Sequence, residues 1–201
     1  MSLLLALSCT TLHTVDGART LEPKEVQVSV AGSVQGNQNG FSVATGIPVG
    51  QGEAAVRVGL VEDLDIGTRV YIGGVYTDLR YRFARAGAWD LAVAPGMGGL
   101  FLPVPNYSVG TLDFRAPLRA ERDLGKRWNL SVGTTPMARR YLGGMDLYLG
   151  ANARFELELP VYYLGLGADV LAQPAHGYPP AWVAGIDMGL RIPPKAQRKK
   201  R

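Results

Sequence analysis

The 201-residue sequence lacks the residues from which most metal sites and disulfide frameworks are built. It has one cysteine, Cys9, so a disulfide within the chain and a cysteine-rich zinc site are both excluded. Its two histidines, His13 and His176, are too few for a histidine-based metal cluster. We therefore expect no metal ion and no other cofactor.

Long apolar runs and dense charge are also missing. No apolar stretch reaches the roughly 18 residues of a transmembrane helix. With 47% hydrophobic and 19% charged residues, the chain does not have the composition of a disordered protein. The net charge is +4, but residues 195–201 carry five positive charges, which leaves −1 for the rest. We therefore interpret residues 193–201 as a solvated basic tail and expect no nucleic-acid partner.

Residues suited to catalysis are scarce. His176 is the only candidate base near other polar groups, and a solvated loop histidine is the simpler interpretation. Residues 96–99 are glycine-rich, but they lack the Lys-Ser/Thr pair that follows a phosphate-binding loop. We predict that the protein is not an enzyme.

The N-terminus suggests a protein of the bacterial envelope. A leucine-rich run at residues 3–7 is followed by Ser8 and Cys9, which resembles the end of a lipoprotein signal. The resemblance implies a partial signal over residues 1–9 and lipidation of Cys9; the alternative is a buried, inert cysteine. Residues 10–23 are polar, and we expect them to form a tether to a folded body over residues 24–192.

From Lys24 onward the hydrophobic pattern has a period of two. Residues 145–159 show it best, because Leu147, Leu149 and Phe155 fall on one face and Arg154 and Glu156 on the other. A strand separates such faces, whereas a helix would scatter them. The same pattern predicts ten strands, at residues 26–34, 54–60, 65–73, 75–84, 89–101, 107–118, 128–135, 145–159, 161–171 and 182–192.

The fold is therefore predicted to be all-β, and the alternatives differ in which face lies inside. A soluble sandwich buries its apolar faces, whereas a membrane barrel turns them toward lipid. Aromatic residues near the strand ends favour the membrane barrel, because interfacial girdles place aromatic residues there. The predicted girdle consists of Tyr81, Phe83, Trp89, Trp128, Tyr162 and Trp182.

The lengths of the links between strands also favour the membrane barrel. Short links are predicted at residues 62–63, 85–88 and 123–126 and around Pro160, with a further short link at Gly73-Gly74. Longer loops are predicted at residues 35–52, 102–106, 136–144 and 172–181. Short turns at one side and longer loops at the other are typical of outer-membrane barrels. We predict a single antiparallel up-and-down barrel of about ten strands, with eight or twelve as alternatives.

Two segments resemble a known class of proteins. Residues 56–70 resemble the strand–turn–strand hairpins of small bacterial outer-membrane β-barrel proteins. Residues 185–192 are similar to the C-terminal assembly signal of that class, although the strand ends in Ile192 and not in an aromatic residue. The resemblance implies a Gram-negative outer membrane, with outer-membrane lipid as the surrounding medium.

The polar faces would then line the lumen. Arginines and acids occur there in nearly equal numbers, and unpaired charges in a narrow interior would be costly. A barrel of ten strands is also much narrower than a water-filled porin. We therefore predict a lumen largely plugged by ion pairs among Arg57, Arg69, Asp78, Arg80, Arg82, Asp90, Asp113, Arg115, Asp146, Arg154, Glu156, Glu158, Asp169, Asp187 and Arg191.

Three functions remain open at this stage. The favoured one is an outer-membrane barrel lipoprotein with a structural or interaction role, which presents loops or docks an envelope protein partner. The second is a narrow channel for ions or small solutes. The third is a soluble, lipocalin-like all-β lipoprotein.

Overall fold

The computed structural model describes residues 16–37, 49–104, 107–141, 143–174 and 180–193. The proposed signal segment with Cys9, the first part of the predicted tether, His176 and nearly all of the basic tail lie outside these ranges. No helix in the described ranges has the length and apolar character needed to cross a membrane.

The described chain forms twelve β-segments, each paired antiparallel with its neighbours. Because β10 pairs with both β9 and β11, the sheet closes on itself. The segments are β1 (Val26–Asn37), β2 (Val49–Val61), β3 (Leu64–Tyr71), β4 (Gly74–Ala86), β5 (Trp89–Val93), β6 (Gly96–Val104), β7 (Tyr107–Arg115), β8 (Leu118–Asp123), β9 (Trp128–Tyr141), β10 (Gly144–Glu158), β11 (Tyr162–Ala172) and β12 (Ala181–Ile192).

Two of the barrel's strands are each built from two segments. β4 pairs with both β5 and β6, and β9 pairs with both β7 and β8. The interruptions fall at Pro95 and Pro117, which have no N–H for the ladder. Their carbonyl oxygens still accept the N–H groups of Leu79 and Ala94, each at 2.9 Å. The result is a closed antiparallel barrel of ten strands, which confirms the predicted fold class.

Burial alternates along the strands, with polar side chains inside and apolar side chains outside. In β11, Tyr163 and Asp169 are buried, whereas Leu164 and Leu166 are 45% and 64% exposed. A soluble lipocalin-like barrel would have the opposite arrangement, because its apolar side chains would form the core. The lipocalin-like alternative is therefore not favoured.

The links at the two ends of the barrel differ less in length than the sequence predicts. We call the ends the turn end and the loop end. The links at the turn end are residues 62–63, 87–88, 124–127 and 159–161, and those at the loop end are 38–48, 72–73, 105–106, 142–143 and 173–180. Three of the five loop-end links therefore have only two residues.

Two predicted loops are mostly strand. Residues 102–106 and 136–144 were expected to be loops, but β6 continues to Val104 and β9 continues to Tyr141. Within β9, Pro136 stays in register opposite Leu149. Its carbonyl oxygen accepts the N–H of Ala116 at 3.1 Å, so the strand tolerates the missing donor.

The residues before β1 enter the barrel. The chain turns at Pro23-Lys24, where Lys24 has a φ of 67°, and the Lys24 N–H donates to the Gly59 carbonyl at 2.8 Å. Residues 16–22, which we call the inner segment, then run from the turn end into the lumen, where Asp16 and Leu21 are buried. This corrects the expectation of a tether over residues 10–23 for its described part, because Asp16, Arg19 and the backbone of Leu21 find partners inside the barrel.

Candidate functional site

The outer rim of aromatic residues is concentrated at the turn end. Of the six residues predicted to form the girdle, five face outward near this end, and Trp182 faces outward near the loop end. The Arg122 guanidinium lies 5.9 Å from the centre of the Trp89 ring, so a basic group accompanies the aromatic rim. The turn-end residues are Tyr81, Phe83, Trp89, Trp128 and Tyr162.

Asp65 is the centre of the first lumen cluster. Its fully buried carboxylate accepts from Arg57 Nη1 at 2.5 Å and from Arg80 Nη2 at 2.6 Å. Arg57 also donates to Asp78 at 2.5 Å. Gly67 provides the space for this packing, since a Cβ there would lie 2.5–2.6 Å from the Arg57 guanidinium. β2, β3 and β4 are thus joined inside the barrel through ion pairs.

The inner segment is bound by this cluster. The Asp16 carboxylate accepts from Arg57 at 3.0 Å and from Arg69 at 3.1 Å. The backbone N–H of Leu21 donates to Asp65 at 2.9 Å, and Arg80 donates to the Gly17 carbonyl at 2.9 Å. Both the main chain and the side chains of the segment are therefore recognised by the wall.

The surrounding arginines keep Asp16 ionised. Burial by itself would raise the pKa of the Asp16 carboxyl, but the Arg57 and Arg69 guanidiniums outweigh it and hold that pKa well below its usual range. The stability that its ion pairs contribute is complete above the unfolded pKa of about 3.9. It is lost as the pH falls through the lower folded value.

A second cluster lies between β10, β11, β12 and β1. Arg154 donates to Glu156 at 2.6 Å and to Asp187 at 2.7 Å, and Arg191 donates to Glu156 at 2.6 Å and also pairs with Glu158. Arg154 and Arg191 lie 5.6 Å and 5.1 Å from the ring centre of Tyr163. The two arginines of this cluster are thus each paired with acids and packed against one aromatic ring.

A third cluster lies nearer the loop end. Arg139 is fully buried and donates to Asp113 at 2.6 Å and 2.8 Å, while Arg115 donates to Asp113 at 3.0 Å. Arg115 also lies 4.9 Å from the centre of the Tyr76 ring. These contacts tie β7 to β9 in the half of the lumen above the inner segment.

Arg19 lies at the turn end of the lumen. This residue pairs with Asp123, lies 3.5 Å from Glu158, and its backbone N–H donates to Glu121 at 3.0 Å. Beside it, Arg82 pairs with Asp63 and lies 3.6 Å from Asp90. The inner segment is therefore held at its deep end by Asp16 and at its rim by Arg19.

All of the charged residues assigned to the lumen from sequence lie on the inner face, but their pairing could not be foreseen. Asp146 accepts from the Tyr148 hydroxyl at 3.4 Å, and Asp169 is buried on the inner face of β11. Sequence reasoning missed several members of the clusters, namely Asp16, Arg19, Asp63, Asp65, Arg119, Glu121, Asp123 and Arg139. In the described part of the chain, no cluster of His, Cys, Asp or Glu residues is arranged for a metal ion.

No protein-family model matches the sequence, and no curated protein matches it significantly. Three solved structures show the level of similarity. The KdgM porin in complex with disordered oligogalacturonate is 8% identical, with a TM-score of 0.47 over 80% of this chain and 97% of that chain. An outer membrane channel from Pseudomonas putida F1 is 10% identical, with a TM-score of 0.46 over 90% of this chain and 100% of that chain.

The third is Ail, the attachment invasion locus protein of Yersinia pestis. It is 10% identical, with a TM-score of 0.31 over 86% of this chain and 100% of that chain. At such values the similarities carry no information about function. The function of this chain is therefore inferred from the residues of its own barrel.

Proposed function

We propose that this protein is an integral β-barrel of the bacterial outer membrane with a closed lumen and a structural or docking role. The observation that carries this proposal is the placement of charge and apolar surface. Buried, paired charges lie on the inside, whereas large apolar side chains such as Leu166, Met188 and Phe101 are 53–64% exposed outside. Soluble monomers rarely expose a continuous apolar surface of this kind.

The height of the apolar surface supports the membrane location. On the outer face of β9, the apolar stretch begins at Trp128 and ends at Ala138, and Arg140 follows it. Ten residues at about 3.3 Å each, tilted by about 40°, give a height of about 25 Å. This agrees with the apolar band of outer-membrane barrels, which is about 25 Å tall.

The inner segment and the paired charges inside the barrel favour a structural or docking role over transport. The inner segment is hydrogen-bonded to β3, β4 and β8, and Arg19 occupies the rim. The two longest links, residues 38–48 and 173–180, both lie at the loop end and join consecutive strands of the barrel. The loop end, where β1, β2, β11 and β12 end, is therefore the side on which we propose that an envelope protein partner docks.

This proposal predicts that the full-length protein fractionates with outer membranes, needs detergent, and migrates differently on gels before and after heating. In planar lipid bilayers it should give no steady conductance, because the inner segment and the ion pairs occupy the lumen. Recovery as a soluble monomer without detergent would contradict the membrane barrel. A steady conductance of the wild-type protein would contradict the closed lumen and favour the narrow channel.

The narrow channel is the second candidate, and one observation favours it. The contacts that hold the inner segment are mostly polar, including those of Asp16, Arg19 and the backbone of Leu21. Water and solute ions can replace such contacts more readily than they can replace a packed apolar core. Withdrawal of the segment would open a path along the β2–β4 side of the lumen.

We further propose that Cys9 carries a lipid anchor. Metabolic labelling with a fatty-acid probe should mark the wild-type protein, and Cys9→Ser should abolish the label. The Cys9→Ser barrel should still insert, because residues 16–193 contain all the described strands. An unlabelled wild-type protein, expressed in a bacterium with an outer membrane, would contradict the anchor and leave Cys9 as an inert thiol.

A further inference from the structure

The Asp16 carboxylate lies in a site built from four arginines of the barrel wall. Two of them donate to the carboxylate, at 3.0 Å and 3.1 Å. The other two approach the adjacent Gly17 carbonyl, at 2.9 Å and 3.5 Å. We call this group the arginine site; its members are Arg57, Arg69, Arg80 and Arg119.

Within the described part of the chain, three carboxylates pair with arginines of the arginine site. Asp65 pairs with Arg57 and Arg80, and Asp78 pairs with Arg57 and Arg69. Asp16 supplies the third carboxylate, which pairs with Arg57 and Arg69. Loss of the Asp16 carboxylate therefore removes a negative charge from among four buried arginines, and a buried charge without its counter-charge is costly.

Arg119 is the arginine of this site with the weakest set of partners. Its side chain is buried, with a residue exposure of 6%, and it has no ion pair with any residue in the described ranges. Within those ranges its Nε also lacks a hydrogen-bond partner. Its hydrogen bond to the Gly17 carbonyl, at 3.5 Å, is long and therefore weak. A free carboxylate has a second oxygen and a full charge to offer to such a guanidinium.

We propose that the arginine site is a carboxylate-binding site, that Asp16 is its tethered occupant, and that small carboxylate solutes bind there when the Asp16 carboxylate is absent. This inference deepens the proposed closed barrel, on which it rests, because it names the class of solute that the lumen recognises. Carboxylate is the matching class, since Arg57 and Arg69 both donate to the Oδ2 atom of Asp16, and charge-assisted hydrogen bonds from guanidiniums to carboxylate oxygens are among the strongest that side chains form.

Chemical rescue of Asp16→Ala in the full-length protein tests this proposal. The variant should unfold at a lower urea concentration than the wild type in detergent micelles. Acetate, exchanged for chloride at constant ionic strength, should raise the unfolding midpoint of the variant in a saturable manner, because it fills the vacated space with a carboxylate. The wild-type midpoint should not respond to acetate.

Asp123→Ala is the matched control. It also removes a carboxylate that contacts the inner segment, through Arg19, but Asp123 lies at the rim with a side-chain exposure of 58%. Acetate should not rescue this variant. Arg69→Gln, added to Asp16→Ala, should abolish the response, because it removes one of the two direct donors to the carboxylate.

The proposal is overturned if acetate stabilises Asp16→Ala no more than it stabilises Asp123→Ala, or if the response survives Arg69→Gln. If Asp16→Ala does not fold in chloride, the yield of refolded barrel in acetate replaces the midpoint, and an unchanged yield overturns the proposal. These measurements do not use conductance or fractionation. Acetate rescue can therefore succeed in a barrel that conducts, and it can fail in one that does not.

Discussion

Ile186→Arg should destabilise the barrel by about 2–4 kcal/mol, as expected for an arginine at the lipid face near the bilayer midplane. Ile186 lies in the middle of β12, faces outward and is 52% exposed. Its neighbours across the sheet are Gly32 of β1 and Leu166 of β11, so no acid on the same face can pair with the new charge. The measurement is urea unfolding of the barrel in lipid vesicles.

Two control variants show whether the loss of stability comes from the depth of the new charge in the bilayer or from the changed shape of the side chain. Ile192→Arg places the same charge on the same face of β12, but at the turn end, where the cost falls to about 0–1 kcal/mol. Ile186→Leu changes the shape without adding a charge and should have little effect. If this face met water, Ile186→Arg would replace an exposed apolar side chain by a hydrated one. A neutral or stabilising effect would therefore contradict the membrane location.

The strands and their facing could be predicted because the alternation of side chains is a local property. Leu149 and Phe155 face outward and Arg154 and Glu156 face inward, as the period-two pattern of this segment predicts. The same pattern cannot show what fills the lumen. Arg19 and Asp123 are separated by 104 positions along the chain, and no spacing in the sequence relates them.

Some strands were predicted too short, and this explains why several charged residues of the lumen were not predicted. Arg139 falls in the loop predicted at residues 136–144, but it lies on the inner face of β9 and pairs with Asp113. Arg119 and Glu121 fell between two predicted strands, although β8 carries both toward the lumen. A strand that is predicted too short removes its last inward residues from the expected network.

The inner segment was missed for a different reason. Its residues are small or polar, as in a solvated spacer, and only Leu21 is a large apolar residue. Such a composition suits a spacer in water and also a chain that runs along a charged wall. The distinction depends on partners such as Asp65 and Glu121, which lie 44 and 102 positions away from the residues they bind. Only the closed barrel brings these groups together.

Asp65→Asn should have a second large effect, a loss of about 3–5 kcal/mol, as expected when one partner of a buried ion pair is removed. Asp65 is fully buried and joins Arg57, Arg80 and the backbone of Leu21. Among the residues that the structure describes, Arg80 has no other carboxylate within 4.0 Å. The substitution keeps the shape of the side chain, so the loss reports on the charge.

Asp63→Asn is the matched control for this second effect. Asp63 lies two positions earlier, at the turn, with a side-chain exposure of 36%, and pairs with Arg82 at the rim. Its φ of 63° suits asparagine as well as aspartate, so the turn should be kept. A rim pair contributes only about 0–1 kcal/mol. Urea unfolding of the two variants in the same vesicles should therefore separate them clearly. Equal effects at both positions would mean that water reaches Asp65 as freely as it reaches the rim, and that the lumen is not closed around the inner segment.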